Sequence, residues 1–407
     1  MAETLPTGAG GMPGPGIKIN EAVRRSTPWP ATCLYRERVM RKIFLLPLLA
    51  FAAMLLLAPG FMNDAVADSG IVIKPNGAKK FAVMPADGFQ PEGITINPNN
   101  GDVIVGTFFG TINLVRFSST GNQIAAITIL GGPLLGLAYN PADGKIYICS
   151  ADDLAGGPAA SRIRRINPDF TGLVDVADVP FIGAPADRTV GNPDGSSDII
   201  DFGAAGRAPN DLTFADNGDL YYSDSFQGAV FRINDAAACP GTCSTDLISH
   251  DPLLATAGFP PFGANGVAIR GDTLFVANTG DDTIMTIDLT GGFPALATVL
   301  AHSINGADGI IYDSNNDLLW VAGNQADQVV AVDPDTGRVV AEIGEFLGIN
   351  PDGSARGLLF PASLAEAANG KILVTNLAAV LIGNGSEPEG DVTKYTVSFI
   401  NIPEFDD

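Results

Sequence analysis

Histidine is almost absent from this chain: only His250 and His302 occur in 407 residues. A catalytic or metal centre built on imidazole is therefore not expected, because neither falls on the repeat positions described below. Cysteine is nearly as rare, with four. Cys33 lies upstream of a predicted cleavage site, which leaves Cys149, Cys239 and Cys243. One CxxxC pair supplies too few ligands for a closed zinc site, so Cys239-Pro-Gly-Thr-Cys243 predicts a small disulfide loop turned by Pro-Gly. Cys149, inside the apolar stretch YICS, predicts a buried, inert thiol.

Positive charge is also scarce: Lys and Arg number 23 against 45 Asp and Glu. Beyond residue 67 the balance is 16 against 41, a net charge of −25. Such a surface repels phosphate backbones and anionic lipid, which excludes nucleic acid and the membrane surface as partners, while it attracts divalent cations. A serine-hydrolase elbow is missing as well. The stretch SDSFQG, with Ser223 and Ser225, lacks G-x-S-x-G and the strand-to-helix turn it needs.

The apolar run Ile43 to Leu57 is interrupted by Pro47. With Arg41 and Lys42 before it and Ala65-Val66-Ala67 after it, Met40 to Ala67 reads as a secretory signal cleaved after Ala67. An N-terminal anchor is the alternative, and the shortness of the run argues against it. The expectation is a periplasmic or secreted protein, free of the membrane once cleaved, whose mature chain begins at Asp68. Residues 1–39, Gly/Pro-rich and without helix or strand period, read as a misplaced start or a disordered extension rather than a domain.

What the chain has in abundance is turn residues, 48 Gly and 29 Pro, between short β-branched runs. That pattern points to an all-β fold. One hairpin pattern recurs six times: PEGITINPNNGDVIVGT from Pro91, LLGLAYNPADGKIYICS from Leu134, PNDLTFADNGDLYYSDS from Pro209, ANGVAIRGDTLFVANT from Ala264, ADGIIYDSNNDLLWVAGN from Ala307 and PASLAEAANGKILVTN from Pro361. Each begins with a short apolar strand, turns on Gly, Asn or Asp, and returns on a second strand that usually ends in Asn, Asp or Ser. Further short strands between copies make about four per unit, so the prediction is a six-bladed β-propeller over residues 68–407 with four-stranded antiparallel blades. The strand around Lys79 to Met84 is expected to complete the last blade beside Val392 to Ile400. The long gap at about 151–207 reads as an insertion on the loop face, its second half having little period.

Inner strands of a propeller begin near the central channel, so the opening residues of the six copies should converge there. They are Glu92, Leu135, Asn210, Asn265, Asp308 and Ala362. Glu92, Asn210, Asn265 and Asp308 are oxygen donors. Two carboxylates and two amides, without thiolate or imidazole, suit Ca²⁺ best and leave Mg²⁺ and Mn²⁺ open. The competing explanation is that Asn and Asp stand there because turns tolerate them. Asp211, next to Asn210, reads as a supporting residue.

The set Glu92 in QPEGI, Asn210 in PNDLTF, Asn265 in ANGVAI and Asp308 in ADGIIY, spaced 118, 55 and 43 residues apart, resembles the calcium set of the SMP-30/gluconolactonase/LRE-like family. That family is related more distantly to diisopropylfluorophosphatase and the paraoxonases. The resemblance implies one divalent cation in the central channel and hydrolysis of a small-molecule lactone or related ester. Asp308 would then be base or nucleophile, and the other three ligands only. Where some relatives carry a Glu-Asp pair for a second ion, this chain has Glu92-Gly93. The alternative is a non-catalytic propeller of NHL-like or YVTN-like type that binds a protein or glycan, its central ion structural; the fold does not choose between the two.

Overall fold

Contacts within the chain set Ser69–Asp407 apart as one unit. In it, the computed structural model describes residues 70–86, 88–154, 160–203, 206–383 and 385–405. The extension at 1–39 and the signal at 40–67 lie outside the described residues.

The six repeats form six antiparallel blades of at least four strands, arranged as a ring. Their innermost strands are Gly88–Ile96, Leu134–Asn140, Pro209–Phe214, Ala264–Arg270, Ala307–Asp313 and Pro361–Ala367. Each repeat's second strand lies in mid-sheet and is covered on both faces by neighbouring blades. Lys145–Ser150, Thr273–Asn278, Leu318–Gly323 and Lys371–Asn376 are accordingly almost continuously buried. They read as apolar runs rather than as alternating strands.

The core lies between blades. Tyr147 and Cys149 of the second blade pack with Leu220, Tyr222 and Phe231 of the third. Trp320 and Ala331 of the fifth pack with Ile372 and Val374 of the sixth. Fully burying each such large side chain stabilises the ring by about 1.5–3 kcal/mol.

The ring closes with the N-terminal strand. Lys79–Val83 runs antiparallel to Thr396–Asn401 as the outermost strand of the sixth blade. Just before it, Val72–Lys74 adds a fifth, parallel strand to the fifth blade.

The added segment after the second blade is narrower than the stretch 151–207. Arg162–Ile166 and Val174–Asp178 are that blade's own third and fourth strands. Beyond Asp178 the described part of the stretch includes a hairpin of Arg188–Gly191 with Ser197–Ile200. Arg188 ties this hairpin to the fourth blade through Asp281 at 2.9 Å, and Asp281 also accepts from the Thr256 hydroxyl at 2.6 Å. A second hairpin, Phe346–Ile349 with Ala355–Gly357, lies between the fifth and sixth blades.

Cys239 and Cys243 are bonded at 2.04 Å. The Arg165 guanidinium donates to the Cys239 carbonyl at 2.7 Å, which fixes the small loop to the second blade. Cys149 is a buried free thiol.

Candidate metal centre

Every inner strand breaks register with its neighbour at the same place. The shifts fall between Pro91 and Ile94, Leu134 and Leu137, Pro209 and Leu212, Ala264 and Val267, Ala307 and Ile310, and Pro361 and Leu364. A bulge re-aims the residue it contains, and the opening residue lies inside each of these six.

The residue after it is packed against the next blade's backbone. A Cβ on Gly93 would lie 1.7 Å from the Leu135 carbonyl oxygen, and one on Gly266 would lie 2.3 Å from that of Asp308. Glycine is the residue that permits this approach. Asp211 is the acidic exception, and its carboxylate accepts from the Val267 N–H of the next blade at 3.0 Å.

The bulges bring Glu92, Asn210, Asn265 and Asp308 together as buried lining of one cavity. Leu135 and Ala362, at the other two opening positions, are buried in apolar clusters instead.

Hydroxyls at the ends of second strands set which way the two amides face. Asn210 Nδ2 donates to Ser225 Oγ at 2.9 Å, and Ser225 Oγ donates to the Ala264 carbonyl at 2.7 Å. Asn265 Nδ2 donates to Thr279 Oγ1 at 2.8 Å, and Thr279 Oγ1 donates to the Ala307 carbonyl at 2.7 Å. A hydroxyl that has spent its proton can only accept, so the amide must offer it N–H. Each Asn is left with its carbonyl oxygen for the cavity. Asn324, ending the fifth blade's second strand, plays the matching part for Asp308 by donating Nδ2 to Asp308 Oδ2 at 2.9 Å.

Glu92 has no such partner, and its Oε2 is buried without a hydrogen bond. A buried carboxylate oxygen left unpaired is costly, and a cation would satisfy it. Loss of hydration raises the Glu92 pKa well above the ordinary carboxylate value, and the charges of Asp308 and Asp211 raise it further. Burial likewise pushes Asp308 up to about 7, against hydrogen bonds from Asn324 and Asn265 that pull it down. Asp211 keeps some solvent access, yet loss of hydration pushes it up to about 7 despite the N–H groups of Val267 and Leu212. Two buried carboxylates whose charge is disfavoured without a counter-ion, beside two committed amide carbonyls, fit a hard divalent cation. Among the described residues no group of three His, Cys, Asp or Glu side chains is placed to hold a metal, so the donors at this site are mixed carboxylate and amide.

The cavity encloses about 220 Å³. Against the four donors on the other side lie Gly136, Asp211, Gly309 and Ser363, packed closely around a narrow gap. Above them the walls are Phe108, Phe262, Phe360, Leu377 and Leu381. His250 and His302 stand on outermost strands and do not line it.

Sequence reasoning missed the orienting residues Ser225, Thr279 and Asn324. Their signal was the polar residue that closes each hairpin, 14 to 16 residues after its opening partner. It missed the apolar wall too, because those residues come from loops of several blades and share no period.

No protein-family model matches the chain, and no curated relative does. Solved structures do. A calcium-binding regucalcin from Agrobacterium tumefaciens aligns with a TM-score of 0.54 and 14% identity, over 81% of this chain and 95% of that one. A luciferin-regenerating enzyme aligns with a TM-score of 0.54 and 11% identity, over 80% of this chain and 94% of that one. At these identities the likeness concerns the fold.

Proposed function

We propose that the chain is an exported, metal-dependent hydrolase of lactones or related esters, with one divalent cation, Ca²⁺ in preference to Mg²⁺ or Mn²⁺, held by Glu92, Asn210, Asn265 and Asp308. The observation that carries this reading is the buried ring of oxygen donors, in which Glu92 Oε2 has no partner. The propeller shared with a protein described as calcium-binding is in keeping with it. The secretory signal at Met40–Ala67 and the acidic mature chain support export to the periplasm or beyond.

A bound cation would polarise the substrate carbonyl and stabilise the charge that develops on its oxygen. The chain's own part is to hold and move a proton. Asn324 fixes the Asp308 carboxylate through Oδ2, and that carboxylate would take a proton from water. The water oxygen bonds to the carbonyl carbon, the ring C–O bond breaks, and the proton passes to the departing alkoxide to give a hydroxy acid.

The test is an assay of the purified mature chain on a panel of lactones and esters, with and without chelator, repeated on Asp308→Asn. Turnover that needs the metal and is lost in the variant supports the reading. Tight calcium binding with no turnover across the panel would replace it with a non-catalytic propeller that binds a protein or glycan.

A further inference from the structure

We infer that the cavity selects an uncharged substrate whose body is apolar, an alkyl- or aryl-substituted acyl compound rather than a sugar or an anion; the chemistry done on it rests on the hydrolase reading, but the binding does not. Above the donors, polar side chains are few. Among the described residues lining the cavity there is no Lys, Arg or His, so an anionic group on the substrate would meet no cationic side chain. Gln90, Thr279 and Asn324 are the polar groups outside the four donors; Thr279 is already engaged at both ends of its hydroxyl, and Asn324 spends its Nδ2 on Asp308. A polyol would lose water from every hydroxyl and find, beyond the four donors, only Gln90 and the Asn324 carbonyl oxygen as partners, which costs more than its contacts return.

The apolar wall is built rather than incidental. Phe360 occupies the left-handed backbone region at φ 47°, an uncommon conformation for a bulky residue. Its N–H is held by the Asp327 carboxylate at 2.8 Å. Phe360 and Leu377 cluster with Ala362, the apolar opening residue of the sixth blade, and with Phe108 and Leu381 packed against them. Phe108 also meets Phe262 edge to face, with centroids 6.5 Å apart, which joins the first blade to the loop before the fourth. A pocket of this kind, mostly apolar with a few convergent polar groups at one end, grips a body by burial and orients one polar group. The rim stays apolar outward, with Phe109 58% and Val380 44% exposed.

Binding and turnover separate cleanly in the test. Calorimetry on the calcium-loaded chain compares two δ-lactams, which resist hydrolysis: one carrying a pentyl side chain, the other the hydroxyl pattern of glucono-δ-lactone. The pentyl compound is expected to bind at least about 100-fold more tightly. Val380→Asn, at an exposed position able to accept the change, is expected to narrow that ratio about threefold to tenfold while leaving calcium binding unchanged. If the pentyl lactam is preferred but no lactone is hydrolysed, the inference stands and the hydrolase reading falls. Equal or tighter binding of the hydroxylated lactam, no binding of either, or a preference for pentyltrimethylammonium over the neutral lactam would overturn the inference.

Discussion

The second and sixth blades have the same bulge as the third, fourth and fifth, yet they open with Leu135 and Ala362 where the others open with Asn210, Asn265 and Asp308. The backbone does not need a polar residue at this place. The argument that Asn and Asp stand there as turn formers loses its force, since leucine and alanine fit the same geometry fully buried. The partner positions differ in step. Ser225, Thr279 and Asn324 hydrogen bond to the opening residue of their own blade. At the corresponding places the second blade has the buried Ala151 and the sixth has Leu377, which lines the apolar wall, and neither side chain can hydrogen bond. The six opening positions thus carry donors in four blades and apolar side chains in the two that flank the first, and the difference lies in side chains alone.

The largest effect should come from the one residue given a chemical role. Asp308→Asn keeps the size and the burial but removes the proton acceptor, and lactone turnover should fall about 10²–10⁴-fold with the far-ultraviolet spectrum unchanged. Unaltered turnover would place the chemistry elsewhere. Making the fourth blade resemble the second is the direct attack on the comparison. Asn265→Leu should fold, since Leu135 is accommodated in the same bulge, and should weaken calcium binding by calorimetry more than the about 10–100-fold usual for residues that only support a ligand. Wild-type affinity in that variant would return the polar residues to a backbone role.

Thr279→Val removes the hydroxyl that commits the Asn265 amide, and calcium affinity should fall about 10–100-fold, with Thr279→Ser restoring it. The pH dependence has a definite sign. The carboxyls of Asp308 and Asp211 are raised from the ordinary value of 3.8 to about 7 and Glu92 is raised as well, so the folded metal-free chain holds more protons than the unfolded one. The stability these groups contribute is fully present below about pH 4 and is lost as the pH rises toward 7. Urea titrations across that window should show the loss without calcium and little of it with calcium. The smallest effect belongs to a part remote from the channel: replacing Cys239 and Cys243 by serine should cost about 2 kcal/mol of stability and leave calcium binding as it was.

The donor set was largely legible in the sequence, and the apolar wall was not. Repeat phase marks Glu92, Asn210, Asn265 and Asp308 because a bulge at one register position serves all six blades. The glycines beside them mark the crowding of inner strands, and the strand Lys79–Val83 closes the last blade as its place before the first repeat implies. Phe108, Phe262, Phe360 and Leu381 carry no such phase. They stand on connections of different lengths, and their meeting depends on how loops pack, including the left-handed turn at Phe360 that no repeat requires. Asn324 falls between the two cases, since its position repeats but its partner becomes visible only once the hairpin is folded.

Metal content by mass spectrometry on the mature chain, dialysed against calcium and then against metal-free buffer, tests the central claim most directly. The account predicts one calcium per chain, lost when Glu92→Gln and Asp308→Asn are combined. No bound calcium, or a full equivalent that survives both substitutions, would contradict it.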